Sequence, residues 1–228
     1  MNIRTAAIVG NGPPELIPDL GGIANEIDIW IGADRGALTI INHNIRPDVA
    51  IGDFDSTSNE EKKRIQQQSV RYATFPSEKD YTDLELALFE AFRFNPDKIY
   101  LFGTTGGRLD HTLINIQLLY HIAKKNILGI MIDKNNQLRL TLPGRHTIHQ
   151  DNMFSHISFI PYSRYVSGLT LRGFYYTLTN ETISWGSTLS ISNKLLSNYG
   201  TFSYHEGILL VVKSRDGLSK AISTRARL

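Results

Sequence analysis

Five aspartates in the first half of this 228-residue chain stand where a divalent cation could be held. Asp53 and Asp55 flank Phe54 directly after an apolar run. If that stretch is extended, residues i and i+2 face the same way and both carboxylates converge. Asp80 and Asp83 are spaced i, i+3 at an expected helix start, which places them on one face. Asp110 follows Gly106-Gly107-Arg108 at another strand–helix junction. Carboxylate oxygens suit a hard cation such as Mg2+, which completes a near-octahedral shell with water and phosphate oxygen. The competing role for each of these aspartates is a helix N-cap, where the residue is favoured. Taken together at strand ends, the five point to a metal–phosphate site.

Glycine loops and one arginine supply the rest of such a site. Gly10-Asn11-Gly12, Asp34-Arg35-Gly36-Ala37 and Gly103-Thr104-Thr105-Gly106-Gly107 each follow an apolar run. Glycine lets backbone N–H groups approach anionic oxygen, and helix N-termini favour negative charge. Asn11, Asp34, Gly36, Gly103, Thr104 and Gly107 are the candidate nucleotide contacts. Arg108 could clamp phosphate oxygens or pair with Asp110. There is no Gly-x-x-x-x-Gly-Lys-Ser/Thr run and no well-placed Gly-x-Gly-x-x-Gly, which sets aside P-loop and simple dinucleotide-binding readings.

Positioning these groups requires alternating strands and helices. Strand-like runs span 5–10, 27–32, 49–52, 98–102 and 127–132. Helix-like stretches lie at 37–42 and 60–68. A third helix opens near Asp80 with Leu84, Leu88, Ala91 and Phe92 on one face, and a fourth carries Leu109, Leu113, Ile116, Tyr120 and Ala123. This alternation predicts an α/β domain on a mostly parallel sheet covered on both faces, with ligands at the carboxyl ends of its strands. After about residue 136 the helical period disappears. Short alternating runs at 156–160, 169–171 and 188–192, punctuated by glycine, predict an all-β C-terminal sandwich. The expected division is an α/β domain over 1–136 and a β-sandwich domain over 137–228.

Composition removes several classes of chemistry. With no cysteine, disulfides, thiolate zinc sites, iron–sulfur clusters and cysteine nucleophiles are excluded. No window approaches 18 apolar residues, and Met1–Arg4 has no signal-peptide organisation, so the expectation is a cytoplasmic protein with no membrane partner. Residues 1–133 hold 18 acids against 13 bases, a balance of −5, and include eleven of the 13 aspartates. Residues 134–228 hold 4 acids against 11 bases, a balance of +7. Those bases are scattered singly, so no nucleic-acid partner is expected.

The motifs resemble, in order and spacing, those of the thiamine pyrophosphokinase family. They are Asp34-Arg35-Gly36-Ala37, Pro47-Asp48 with Gly52-Asp53-Phe54-Asp55-Ser56, Lys79-Asp80-Tyr81-Thr82-Asp83, and Gly106-Gly107-Arg108-Leu109-Asp110-His111. Gly186-Ser187 and Ser190-Ile191-Ser192-Asn193 resemble that family's thiamine-side motif, so the match covers nearly the whole chain. The resemblance implies an N-terminal domain binding ATP and Mg2+, a C-terminal β-sandwich binding thiamine, and a homodimer with each active site at the interface. It implies pyrophosphoryl transfer from ATP to thiamine, giving AMP and thiamine diphosphate. By carry-over, Asp53, Asp55, Asp80, Asp83 and Asp110 serve metal and phosphates, Arg108 serves the phosphates, and Ser192 and Asn193 lie at the thiamine. Trp185 and Tyr175 are candidate stacking aromatics, and Asp80 is the candidate acceptor of the hydroxyl proton. Two alternatives stand beside this. Asp53-Phe54-Asp55-Ser56-Thr57 also fits the Asp-x-Asp-x-Thr pattern of haloacid-dehalogenase-type phosphatases, and a non-catalytic nucleotide-binding regulator is a third reading.

Overall fold

The structure is a computed structural model that describes residues 3–78 and 80–217. Met1 and Asn2, Lys79 of the Lys79–Asp83 motif, and the expected second domain beyond 217 lie outside the described residues.

Short apolar runs become buried strands here because structure covers them on both faces. β1 (Thr5–Val9), β2 (Ile29–Ala33), β3 (Val49–Gly52), β4 (Arg71–Thr74), β5 (Lys98–Phe102) and β6 (Leu128–Ile132) form parallel pairs in the order β4-β3-β2-β1-β5-β6. The helices are α1 (Gly36–Asn42), α2 (Asn59–Gln68), α3 (Asp83–Phe92) and α4 (Leu109–Lys124). Leu84, Leu88 and Ala91 of α3 and Leu118, Leu119 and Ile122 of α4 pack on Ile8, Ile31, Ile51 and Leu101 on one face of the sheet. Ile40 packs with Val9, Trp30 and Phe102 on the other, and Ile41 and Ile65 pack there with Ala50 and Phe54. Each fully buried side chain of this size contributes roughly 1.5–3 kcal/mol.

The strands of the second half are β7 (Asn136–Thr141), β8 (Gly144–His149), β9 (His156–Pro161), β10 (Tyr165–Arg172), β11 (Leu178–Ser184), β12 (Tyr199–Tyr204) and β13 (Leu209–Ser214). β7, β13 and β9 continue the first sheet with antiparallel pairing, making it nine-stranded. β11-β10-β12-β8 form a separate four-stranded sheet. Ile157, Phe159, Leu209 and Val211 of the long sheet face Ile148, Val166, Leu171, Ile183 and Phe202 of the short one. The chain thus combines an α/β unit on a mostly parallel sheet with an antiparallel β unit. The hydrogen-bonded sheet runs unbroken across residue 136, where β6 meets β7. Among the described residues no helix is long and apolar enough to cross a membrane.

Four expectations change. β4 was not anticipated; it is a half-exposed edge strand without an apolar pattern. α3 opens at Asp83 with Thr82 as its N-cap, so Asp80 precedes the helix and the shared helical face with Asp83 does not form. Residues 188–192 form a loop rather than a strand. Ser190 Oγ donates to the Phe159 carbonyl at 2.6 Å beside a single backbone bond from Phe159 N–H to the Ser190 carbonyl, and Ser192 takes φ 54°, so no continuous ladder forms. On α4 the buried stripe is Asn115, Leu118, Leu119 and Ile122, while Leu109 and Leu113 are 70% and 53% exposed. That helix carries apolar residues on two faces, and the neighbouring strands select one.

Candidate active site

The order of the parallel strands reverses between β1 and β5, so the loops leaving them diverge and open a crevice at their carboxyl ends. A cavity of about 500 Å³ lies there, within the size range of small-molecule sites. Gly10, Asn11 and Gly12 after β1, Asp34 after β2, Asp53 after β3, and Gly103–Thr105, Gly107 and Arg108 after β5 line it. Tyr81–Leu84 at the start of α3 and His111, Thr112 and Asn115 on α4 complete the wall.

The loops are knitted together by backbone. The Gly12 N–H donates to the Gly103 carbonyl at 2.7 Å, and Gly10 N–H donates to Phe102 at 2.8 Å. Gly103 has φ 61°, and a Cβ on it would lie 2.6 Å from the Gly10 carbonyl oxygen, so both conformation and contact require glycine. Gly36 is different. It does not line the cavity; a Cβ there would fall 1.9 Å from the Val9 carbonyl oxygen, so its role is the close approach of α1 to β1.

Asp34 is buried in the left-handed region at φ 50°. Its Oδ2 accepts from Ser56 Oγ at 2.6 Å, and Ser56 Oγ also accepts from Asn11 Nδ2 at 3.3 Å, tying together the loops after β1, β2 and β3. Asp34 Oδ1 and Thr104 Oγ1 are buried at this cavity and have no hydrogen-bond partner among the described residues. Buried polar atoms are normally satisfied, and two orphans on one cavity wall mark a place built for a polar ligand.

The five aspartates separate into two groups. Asp53 and Asp83 line the cavity; Asp55, Asp80 and Asp110 do not. The premise that Asp53-Phe54-Asp55 is extended fails. Phe54 is left-handed at φ 57°, its ring is fully buried and stacks on Tyr72 at 4.7 Å, and Asp53 Oδ1 accepts the Asp55 N–H at 3.0 Å. Burial of the ring turns the chain, and Asp55 is left exposed. Asp110 grips Arg108: Arg108 Nε and Nη2 donate to its two oxygens at 3.2 and 2.5 Å. This pairing holds the Asp110 carboxyl below its usual pKa and raises that of the guanidinium. None of the five is an N-cap; Ser58, Thr82 and Arg108 occupy those positions on α2, α3 and α4.

Among the described residues no group of three or more His, Asp and Glu is close enough to hold a metal unaided. The donor set nevertheless fits Mg2+. Asp34, Asp53 and Asp83 present carboxylates on one cavity wall, Asp34 with an uncommitted buried oxygen, and this ion needs only one or two protein carboxylates beside phosphate and water. Sequence reasoning missed Thr112 and Asn115, and gave His111, quoted in the Gly106–His111 motif, no role at the site. With Arg108 they fall at i, i+3, i+4 and i+7, one polar helical stripe, so the periodicity was there to be read. Asn115 Nδ2 donates to the Thr104 carbonyl at 3.0 Å. Ser77 was also missed, and Tyr81, quoted in the Lys79–Asp83 motif, was given no role, yet both line the cavity.

Ser192 and Asn193 do not line this cavity. Asn193 is buried, and its amide bridges backbone. Oδ1 accepts from the Tyr176 and Lys194 N–H groups at 3.0 and 2.9 Å, and Nδ2 donates to the Tyr176 carbonyl at 2.7 Å. It holds a surface on which Tyr175, Tyr176, Trp185 and Leu189 are all more than half exposed.

Comparison with known proteins accounts for both halves. Residues 21–132 match the family described as thiamin pyrophosphokinase, catalytic domain, and residues 145–209 match thiamin pyrophosphokinase, vitamin B1 binding domain. The thiamine pyrophosphokinase of Bacillus subtilis (strain 168) is 47% identical over 214 residues, covering 94% of this chain and all of the relative. The crystal structure of the B. subtilis enzyme superposes with a TM-score of 0.89 over the same shares. That of the Geobacillus thermodenitrificans enzyme, 44% identical, gives 0.86 over 94% of this chain and 99% of that one. A cavity at the strand-order reversal, an antiparallel β unit beside it and these likenesses agree, and the chain belongs to the thiamine pyrophosphokinase family.

Proposed function

We propose that this protein is a thiamine diphosphokinase, transferring the pyrophosphoryl group of ATP to the hydroxyl of thiamine and releasing AMP. The observation that carries the reading is the cavity at the strand-order reversal, with Asp34, Asp53, Asp83 and Arg108 on its wall, in a chain of this family. The thiamine oxygen attacks the β-phosphorus as the bond from that phosphorus to the α-phosphate oxygen breaks, and AMP leaves with the electron pair. Such transfers depend on positioning and charge neutralisation more than on covalent help from the protein. Loop 103–107 presents backbone N–H groups to the phosphate chain, while those of Gly10 and Gly12 are spent on the Phe102 and Gly103 carbonyls and brace it. Arg108 adds positive charge, and a carboxylate of the aspartate set accepts the hydroxyl proton. Mg2+, held by Asp53 and Asp83 with Asp34 beside them, would neutralise charge on the pyrophosphoryl unit. Asp55, Asp80 and Asp110 remain in the proposed metal–phosphate set, close in sequence to residues of the wall.

The 1–136 unit is assigned to ATP and the 137–228 unit to thiamine. The thiamine face is placed at Ser192, Asn193, Tyr175 and Trp185. In one protomer these residues stand apart from the phosphate cavity, which favours a homodimer whose active sites join the α/β half of one subunit to the β half of the other. Apolar side chains left exposed on both halves, Leu109, Leu113 and Ile114 on α4 and Tyr176, Trp185 and Leu189 on the β half, suit such a contact.

The test is product analysis. With ATP, Mg2+ and thiamine the protein should form AMP and thiamine diphosphate in equal amounts, and omission of thiamine should abolish AMP. Formation of ADP with free phosphate, or AMP release that ignores thiamine, would overturn the reading.

A further inference from the structure

The loop after β5 stands between two cavities. One is the candidate active site. The other, of about 320 Å³, lies behind the loop and is lined by Leu16, Thr105, Gly106, Ile116, Asp133 and Leu138 among others. The first part of the loop is firmly tied through the Gly12–Gly103 and Asn115–Thr104 bonds. Beyond Thr104, the attachment shown among the described residues is a side-chain bond across the rear cavity: Thr105 Oγ1 donates to Asp133 Oδ2 at 2.7 Å.

Asp133 follows β6 and is 5% exposed. A buried carboxylate is costly unless its lone pairs are used, and here they are. Oδ1 accepts from the Asn135 and Asn136 N–H groups at 2.7 and 2.8 Å and from Asn136 Nδ2 at 3.1 Å. The turn that carries it is itself fastened, with Asp133 N–H donating to the Asn136 carbonyl and Lys134 N–H to the Leu16 carbonyl, both at 2.9 Å. The oxygen offered to Thr105 is therefore fixed in space. Asp133 does not line the active-site cavity, whereas Thr105 lines both cavities.

We propose that Asp133 is a positioning residue for nucleotide: through Thr105 it holds the Gly103–Gly107 loop in the shape that meets the phosphate chain of ATP. This rests on the assignment of the cavity to ATP. Thr105→Val removes the hydroxyl at nearly constant volume, and Thr105→Ser keeps it. With a non-hydrolysable ATP analogue and Mg2+ in titration calorimetry, Thr105→Val should bind about tenfold more weakly than wild type, and Thr105→Ser nearly as well. The Michaelis constant for thiamine should stay unchanged in both. Asp133→Ala should weaken binding at least as much, and adding Thr105→Val to it should cost little more, since both lose the Thr105–Asp133 bond. If Asp133→Ala does not fold, the two Thr105 variants decide the matter. Equal nucleotide affinity in Thr105→Val and Thr105→Ser, or an equal rise in the thiamine constant, overturns the proposal. Failure of the wild type to bind the analogue would instead overturn the ATP assignment itself.

Discussion

Phe54 decides what its two acidic neighbours can do. Its ring is worth more inside, against Tyr72, than the left-handed backbone costs, about 1–2 kcal/mol. The resulting turn leaves Asp53 at the cavity and Asp55 exposed. Among the described residues seven non-glycine residues have positive φ; four are asparagines, which tolerate it, and the other three are Asp34, Phe54 and Ser192. Those three sit at the proposed phosphate and thiamine sites, where such strain tends to collect. Removal of one cavity carboxylate at nearly constant volume should remove charge compensation without harming the core. Asp53→Asn and Asp83→Asn are each expected to lower kcat/KM by about a hundredfold or more, with a melting midpoint within about 2 °C of wild type. Near-normal turnover of either variant at low Mg2+ would show that its carboxylate does not act at the phosphates.

Among the elements, the contact between the two sheets of the β half has a distinct pH signature. Tyr204 on β12 is 2% exposed and donates to Thr141 Oγ1 on β7 at 3.0 Å. Burial pushes its hydroxyl up from 10.0 to about 12, while bonds with Thr141 and Leu209 act the other way. A raised pKa on an acid means that the folded state holds the proton more tightly than the unfolded one. This contribution is complete below about pH 10 and is lost as pH rises through about 12. Thermal unfolding of wild type should therefore fall more steeply between those limits than that of Tyr204→Phe, which has no proton to lose. Parallel curves would mean that the hydroxyl titrates alike in both states. Helix ends follow a simpler rule: on α2, Ser58 Oγ accepts the Glu61 N–H while Glu61 accepts the Ser58 N–H, a reciprocal cap written in the local sequence.

For the whole molecule, the separation of the two proposed sites within a protomer and the charges of −5 and +7 on the halves favour contact between opposite halves of neighbouring subunits. A symmetric dimer would supply two such contacts. Mixing Asp83→Asn protein with a Trp185→Ala/Ser192→Ala variant tests this by complementation. If each homodimer is inactive, random exchange should restore about a quarter of the wild-type activity, because half the dimers then hold one site free of both lesions. Confirmed exchange with no recovered activity would place each complete site within one subunit.

The amino-acid sequence alone determined the alternation of the first half, the loss of helical period after about residue 136, and the loops that carry chemistry. Those features are local: a period of 3.6 or 2, a glycine where backbones touch, an acid after an apolar run. The polar stripe Arg108, His111, Thr112 and Asn115 was equally local and legible. Tertiary structure decided the rest. It chose which face of α4 is buried, turned 188–192 into a loop, and added β7, β13 and β9 to the parallel sheet. It also split five aspartates into two that face the cavity and three that do not. Each outcome depends on which distant surface a segment meets, and strand pairing or ring burial over long separations leaves no period in the chain.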